Sequence, residues 1–293
     1  MIQKEILRKV RQIEIRTSRM VSDVFGGEYR SAFKGQGMEF QEVRAYVPGD
    51  DVRAIDWNVS ARGGELFVKK FTEERELSVM LLVDISASQF FGGAAVFKKD
   101  LAAEIAAVLA FAAIRNNDRV GLVLFSDVVE LYVPPRKGSS HVLRVIREVL
   151  SFTPRSRGTR LASALEFLNR VAHRRAVAFL VSDFLDDGFE RSLRVTARRH
   201  DLISVVIDAR REREWPAVGL VDWTDAESGE RRLVDTGSPA VREALGRDWA
   251  ARRRRLLETL RGSRCDAVEV CAGEPYERQL IAFFKLRERR LRM

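Results

Sequence analysis

The feature that most constrains this chain is a series of short apolar runs that lack polar alternation. Val79-Met80-Leu81-Leu82-Val83 is the first of them. A strand with one wet face alternates; five consecutive apolar residues describe a strand buried on both faces, as in a parallel sheet covered by helices. A helix is expected over roughly 97–115, strands over 120–125 and 128–133, helices over 140–151 and 160–173, and a strand over 176–181. Helix 188–199, strand 202–207, helix 239–261, strand 267–270 and helix 275–290 continue the alternation. The fold class read from this order is α/β, a doubly wound, mostly parallel sheet with helices on both faces. Only two residues separate 120–125 from 128–133, too few for a parallel crossover, so one antiparallel edge strand is expected.

The flanks differ in character. Ile2, Ile6, Val10, Ile13 and Val21 recur near helical spacing and predict a helix over 2–25. Residues 26–76 carry glycines, an alternating Met38/Phe40 pair and the turn Val47-Pro48-Gly49-Asp50, leading into a strand over 65–72. The division read from this is 1–76, an N-terminal helix and β-rich module, and 77–293, the α/β domain. A hairpin insertion is expected near 212–236, where VGLVDW and RRLVD flank TDAESGE.

Composition excludes several classes. With 46% hydrophobic and 32% charged residues over 293 positions, the chain has material for a core and no signature of disorder. Its most apolar helical candidate, 101–114, contains Glu104 and falls short of the roughly 20 apolar residues of a membrane span. The opening MIQKEILRKVRQIEIR lacks the apolar core of a signal peptide. Cys265 and Cys271 lie six residues apart on an expected strand and cannot bridge each other, so a reducing cytoplasm is the expected location. The net charge of +9 sits at the ends: +4 over 1–20 and +6 over 239–293, against −1 between. Arg252, Arg253, Arg254 and Arg255 wind around their helix instead of forming a stripe, which reads as solvated surface. With no zinc finger or RNP-type motif, no nucleic-acid partner is expected, and binding through the basic terminal helices is kept as an alternative.

Three loop segments carry the chemistry. The first strand runs into Asp84-Ile85-Ser86-Ala87-Ser88, Gly158-Thr159 precedes an expected helix, and Ser182-Asp183 ends another strand. Taken singly, each suits a helix cap or turn. Taken together, the carboxylates of Asp84 and Asp183 and the hydroxyls of Ser86, Ser88 and Thr159 belong to one rim of a parallel sheet. These hard oxygen donors suit Mg²⁺ or Mn²⁺. Gln89-Phe90-Phe91-Gly92 adds a bulky apolar edge. No G-x-x-x-x-G-K-[ST] occurs, and Gly35-Gln36-Gly37 is no dinucleotide fingerprint. His141, His173 and His200 read as surface or capping residues, and Trp57, Trp215, Trp223 and Trp249 as packing or hairpin anchors. Arg44, Tyr46, Pro48, Asp50, Asp51, Arg53, Asp56, Trp57 and Arg62 fit either internal ion pairing or a docking surface.

D-I-S-A-S, a loop threonine at 159 and Asp183 after an apolar strand resemble the metal-ion-dependent adhesion site of von Willebrand factor A domains. The stretches GQGMEFQEVRAYVPGDDVRAIDWNVSAR (35–62) and LFVKKFTEERELSVMLLVD (66–84) narrow the resemblance to the bacterial family called domain of unknown function 58. The resemblance implies that Ser86, Ser88 and Thr159 offer hydroxyls to Mg²⁺, with Mn²⁺ or Ca²⁺ as substitutes, while Asp84 and Asp183 act directly or through water. It implies an open coordination position completed by an acidic residue of a protein partner. It also implies a non-enzymatic adaptor of a MoxR-type AAA+ ATPase, with room for a peripheral membrane complex. The competing enzymatic reading is a Mg²⁺-dependent phosphohydrolase with Asp84 as nucleophile. Such an enzyme wants an acid at 86, where this chain has a serine.

Overall fold

The computed structural model describes residues 8–15, 17, 21, 26–33, 39–72, 76–91 and 97–292. They divide into two compact units, 1–32 with 78–293, and 33–77.

In the larger unit, residues 8–15 are helical, followed by α1 (Gly26–Ala32). Of the five apolar residues that marked the expected first helix, Val10 and Val21 are buried; Ile2 and Ile6 lie outside the described residues. The smaller unit contains β1 (Glu39–Ala45), α2 (Trp57–Gly63) and β2 (Phe67–Thr72), with β1 and β2 antiparallel. Met38 and the side chain of Phe40 lie outside the described residues. Ion pairing shapes this unit. Arg44 grips Asp50 through two nitrogens at 2.8 and 2.6 Å, and Asp50 accepts the Val47 N–H, closing the Val-Pro-Gly-Asp turn. Asp56 caps α2 through Asn58 and Val59 and meets Lys69 at 3.4 Å, whereas Trp57 is left largely exposed.

The remaining elements alternate as the apolar runs require: β3 (Ser78–Asp84), α3 (Lys98–Arg115), β4 (Arg119–Phe125), β5 (Val129–Arg136), α4 (Ser139–Ser151), α5 (Leu161–Val171) and β6 (Val177–Ser182). Then follow α6 (Glu190–Arg199), β7 (Asp201–Ala209), α7 (Arg210–Arg213), β8 (Leu220–Thr224), β9 (Arg231–Asp235), α8 (Pro239–Gly262), β10 (Asp266–Ala272) and α9 (Glu277–Arg292). Six strands form one sheet in the order β10-β7-β6-β3-β4-β5. All pairs are parallel except β4–β5, the expected antiparallel edge. Counted along the sheet, this is the doubly wound order 3-2-1-4-5-6. It is the architecture that the resemblance to von Willebrand factor A domains implied.

Val79 through Val83 are sealed between two helix layers. On one side, α5, α6 and α8 pack over Met80, Leu82, Phe125 and Leu180 through Leu165, Leu168, Leu193 and Leu260. On the other lies α3, whose residues from Leu101 to Ala113 are buried at every position but Glu104. A helix enclosed on nearly all sides has no need of a polar face, which explains its apolar sequence.

The expected division at residue 76 places the N-terminal helix with the β-rich module; the structure places it with the larger unit. Tyr29 is buried there, donating to Asp118 at 3.4 Å with its ring edge-on to Phe284, while Arg287 donates to the Ala32 carbonyl. Apolar and aromatic burial has decided the grouping, where the onset of regular alternation after 76 suggested otherwise. The hairpin appears as β8 and β9, paired antiparallel around 225–230. Both cysteines are free and buried.

Candidate metal centre at the switch point of the sheet

From β3 the chain proceeds one way across the sheet to β4 and β5, then returns to place β6 on the other flank of β3. Loops leaving neighbouring strands at such a reversal part in opposite directions and open a crevice at the carboxyl ends. Asp84 closes β3, and Ser182 with Asp183 closes β6, whose Val181 pairs with Val83.

Asp84 is only 1% exposed. One oxygen accepts the Ser86 N–H at 2.9 Å; the other accepts the Ser182 hydroxyl at 2.6 Å and faces the Gln89 amide at 3.5 Å. Burial, and then the neighbouring Asp183, push its pKa to about 7 despite those bonds. The Ser86 and Ser88 hydroxyls lie 3.1 Å apart. Neither Ser86 nor Thr159 serves as the helix cap it could have been. Ser86 makes no side-chain cap bond, and the Leu161 amide at the start of α5 is taken by Asp186 at 2.7 Å. The Ala87 N–H donates to the Arg157 carbonyl at 2.9 Å, tying the serine loop to the threonine loop.

Thr159 is engaged by a residue that no motif flagged. Its N–H donates to one carboxylate oxygen of Glu227 at 3.1 Å and its hydroxyl to the other at 2.6 Å. Burial raises the pKa of that carboxylate. Glu227 stands at the tip of the β8–β9 hairpin. There Asp225 shapes the turn by accepting from the Glu227 and Ser228 amides at 3.1 and 2.7 Å. The Thr159 hydroxyl is therefore engaged from within the chain. The residues TDAESGE gave a turn, and nothing local in them told which surface that turn would reach.

Asp183 is drawn to a second unflagged residue. Lys98 begins α3 with its side chain wholly buried, its ammonium 2.6 Å from Asp183 and 2.7 Å from Glu212. Burial alone would lower the Lys98 pKa; the two carboxylates outweigh it and hold the pKa above its ordinary value. Phe184, next to Asp183, adopts φ of 58°, a costly conformation for a bulky side chain and a common companion of functional loops.

The donor set fits a small hard cation. Asp84, Ser86, Ser88, Thr159, Asp183 and Glu227 supply only oxygens. The Ser86 and Ser88 hydroxyls are hydrogen-bonded to each other at 3.1 Å, which keeps both oxygens beside one another at the crevice. Among the described residues neither Asp84 nor Glu227 forms an ion pair, and the buried Gln89 carbonyl oxygen has no partner. A fully buried carboxylate without a counter-charge, as Asp84 is, calls for a proton or a cation. The arrangement does not suit a nucleophile, because Asp84 is enclosed with both oxygens engaged. Phe90, Phe91, Phe97 and Leu185 are exposed among the segments flanking the crevice.

The histidines and arginines take other roles. His200 is the capping residue at the end of α6 and is fully buried, its Nδ1 accepting the Ala176 N–H at 3.2 Å. Trp215 packs edge-on against Trp223 of the hairpin. Arg253 pairs with Glu269 and Asp208, and Arg287 with Asp201 and Asp266, so part of the basic surplus is spent inside the fold.

A family model described as protein of unknown function DUF58 matches residues 42–255. An uncharacterised protein of Mycobacterium tuberculosis strain H37Rv is 33% identical over 283 residues, covering 96% of this chain and 89% of that one. The uncharacterised protein YeaD of Bacillus subtilis is 27% identical over 107 residues, 36% of this chain and 25% of its own. Among solved structures, the conserved hypothetical protein BatB from Bacteroides thetaiotaomicron overlays with a TM-score of 0.49 at 13% identity, over 73% of this chain and 99% of that one. The VWA domain of SpRpn10 overlays with a TM-score of 0.38 at 13% identity, over 71% and 94%. The fold assignment stands on the strand order itself.

Proposed function

The chain belongs to the DUF58 family, and we propose that it is a non-enzymatic protein-interaction module whose contact is made through a divalent cation. In this reading it serves as an adaptor of a MoxR-type AAA+ ATPase in protein maturation or remodelling. The observation that carries the metal is the gathering of Asp84, Ser86, Ser88 and Thr159 with Glu227 at the switch point, with the Asp84 carboxylate buried and paired with no cationic side chain. The hydroxyls of Ser86, Ser88 and Thr159 would hold Mg²⁺, with Mn²⁺ or Ca²⁺ able to replace it. Asp84 would balance its charge, and Asp183, steadied by Lys98, would act from farther out. Bound there by mostly neutral ligands, the ion supplies a Lewis-acidic contact for a carboxylate. The ATPase is supported by the family resemblance alone. The free cysteines support a cytoplasmic setting, and no described helix is long and apolar enough to cross a membrane.

Affinity capture with the full chain as bait, in Mg²⁺ and in EDTA, tests the reading. Retention of an AAA+ ATPase in Mg²⁺, lost with EDTA and with the Ser86→Ala/Ser88→Ala variant, is expected. Capture indifferent to both would overturn it.

A further inference from the structure

We propose that the β8–β9 hairpin is a built-in occupant of the crevice, with Glu227 holding the position that an acidic side chain of a partner takes and the partner binding by exchange with it. This rests on the metal-dependent reading above and deepens it by naming the ligand: a glutamate presented on a tight turn.

Three observations support the exchange. First, the contact has the form of ligand recognition. Both oxygens of one carboxylate are received by the amide and hydroxyl of Thr159, the residue whose hydroxyl belongs to the candidate metal set. Second, the turn that presents Glu227 keeps its own shape. Asp225 accepts from the Ser228 hydroxyl at 2.8 Å and from two amides, and the Gly229 N–H donates to the Asp225 carbonyl at 2.9 Å, all within the tip. An isolated segment with the same residues could therefore present the same carboxylate. Third, the strands behind the tip bury little. Leu220 and Leu233 are 68% and 70% exposed, and no residue of β8 or β9 is fully buried. Lifting the hairpin forfeits the carboxylate contact and few apolar ones, so a competitor at Thr159 can displace it without unfolding the body. Gly219, at φ of 81°, and Gly237 stand at its base.

A tethered ligand competes at an effective concentration on the order of millimolar. The resting site is then closed to casual carboxylates and opens only to a partner that brings further contacts, for which the exposed Phe90 and Phe91 beside the serine loop are suited.

The test uses the full chain, wild type, Glu227→Gln and Glu227→Ala, and a labelled, end-blocked peptide copying residues 224–230. Anisotropy is read in Mg²⁺ and in EDTA, beside Mg²⁺-dependent thermal shifts of each protein. The variants should bind the peptide about tenfold or more tighter than wild type. That binding should vanish in EDTA or when the peptide residue corresponding to Glu227 is Gln. Hydrogen exchange is the second reading and needs no variant: Mg²⁺ should slow exchange across 220–235 in wild type. Peptide binding equal in all three proteins, or absent from all, while Mg²⁺ still stabilises them would overturn the exchange and leave the metal reading standing. Mg²⁺ stabilisation without slowed hairpin exchange would do the same, as would a Mg²⁺-dependent dimer sharing hairpins between copies. No effect of Mg²⁺ on any of the proteins would remove the metal reading, and the exchange with it.

Discussion

The ammonium of Lys98 lies 2.6 Å from the carboxylate of Asp183, deep in the molecule, and reaches Glu212 on its other side at 2.7 Å. One cation thus joins the start of α3, the end of β6 and the short helix α7. Removing one partner of such a cluster leaves charge buried without compensation, which costs about 3–5 kcal/mol. Lys98→Met should lose that much in urea unfolding. Adding Asp183→Asn to it should recover part of the loss, because one of the stranded carboxylates is then neutral.

Asp84 makes a pH-dependent prediction. Its folded pKa of about 7 lies above the ordinary 3.8, so without metal the fold favours the protonated form. Between about pH 4 and 7 the unfolded chain releases that proton and the folded one keeps it, so stability falls as pH rises across this window and levels off above it. Asp84→Asn has no proton to lose. The difference in unfolding free energy between wild type and variant, measured in EDTA, should shift against wild type over the window. Above pH 7, Mg²⁺ at about 100 times its dissociation constant should stabilise wild type by about 2.7 kcal/mol and leave Asp84→Asn unchanged.

His200 has the opposite sign. Burial, followed by Arg199 and Arg175, lowers its pKa from 6.5 to about 4, so the folded state keeps the ring neutral while Nδ1 accepts the Ala176 N–H. The associated stability is whole above about pH 6.5 and is lost as pH falls toward 4, amounting to about 3 kcal/mol. His200→Asn places an acceptor near the same N–H and does not titrate. Its urea midpoint should lack the component between pH 6.5 and 4 that wild type shows.

Gly121 lies on β4 where strand packing leaves no space for a methyl group. A Cβ there would stand 2.7 Å from the Met80 sulfur and 3.1 Å from Pro135. Met80 is buried and can give only by disturbing the layer above β3. Gly121→Ala should cost about 1–3 kcal/mol in chemical denaturation.

The sheet was readable because its signal is local: a strand enclosed on both faces must be continuously apolar, and Val79–Val83 and 176–181 are. The antiparallel edge was readable from a two-residue gap, which permits nothing else. That Asp84 and Asp183 share a rim was readable because both follow neighbouring strands of a parallel sheet, whereas Thr159 precedes a helix and no strand end placed it. Glu227 and Lys98 were not readable. Their partners lie 68 and 85 residues away in sequence, and neither residue departs locally from an ordinary turn glutamate or first-turn lysine. Long-range pairing leaves no periodicity to detect. The same reason hid the allegiance of 8–32, which is set by Tyr29 meeting Phe284 at the far end of the chain.

That allegiance changes how the protein should be dissected. Because covalent neighbours on both sides of 33–77 belong to one body, the small unit is a guest spliced into its host, and trimming from the amino terminus cannot free the host intact. A fragment begun at residue 77 would strip the aromatic lid from Phe284 and leave Arg287 without its carbonyl. Excising 33–77 and rejoining the flanks with a flexible bridge is the cut that respects the architecture.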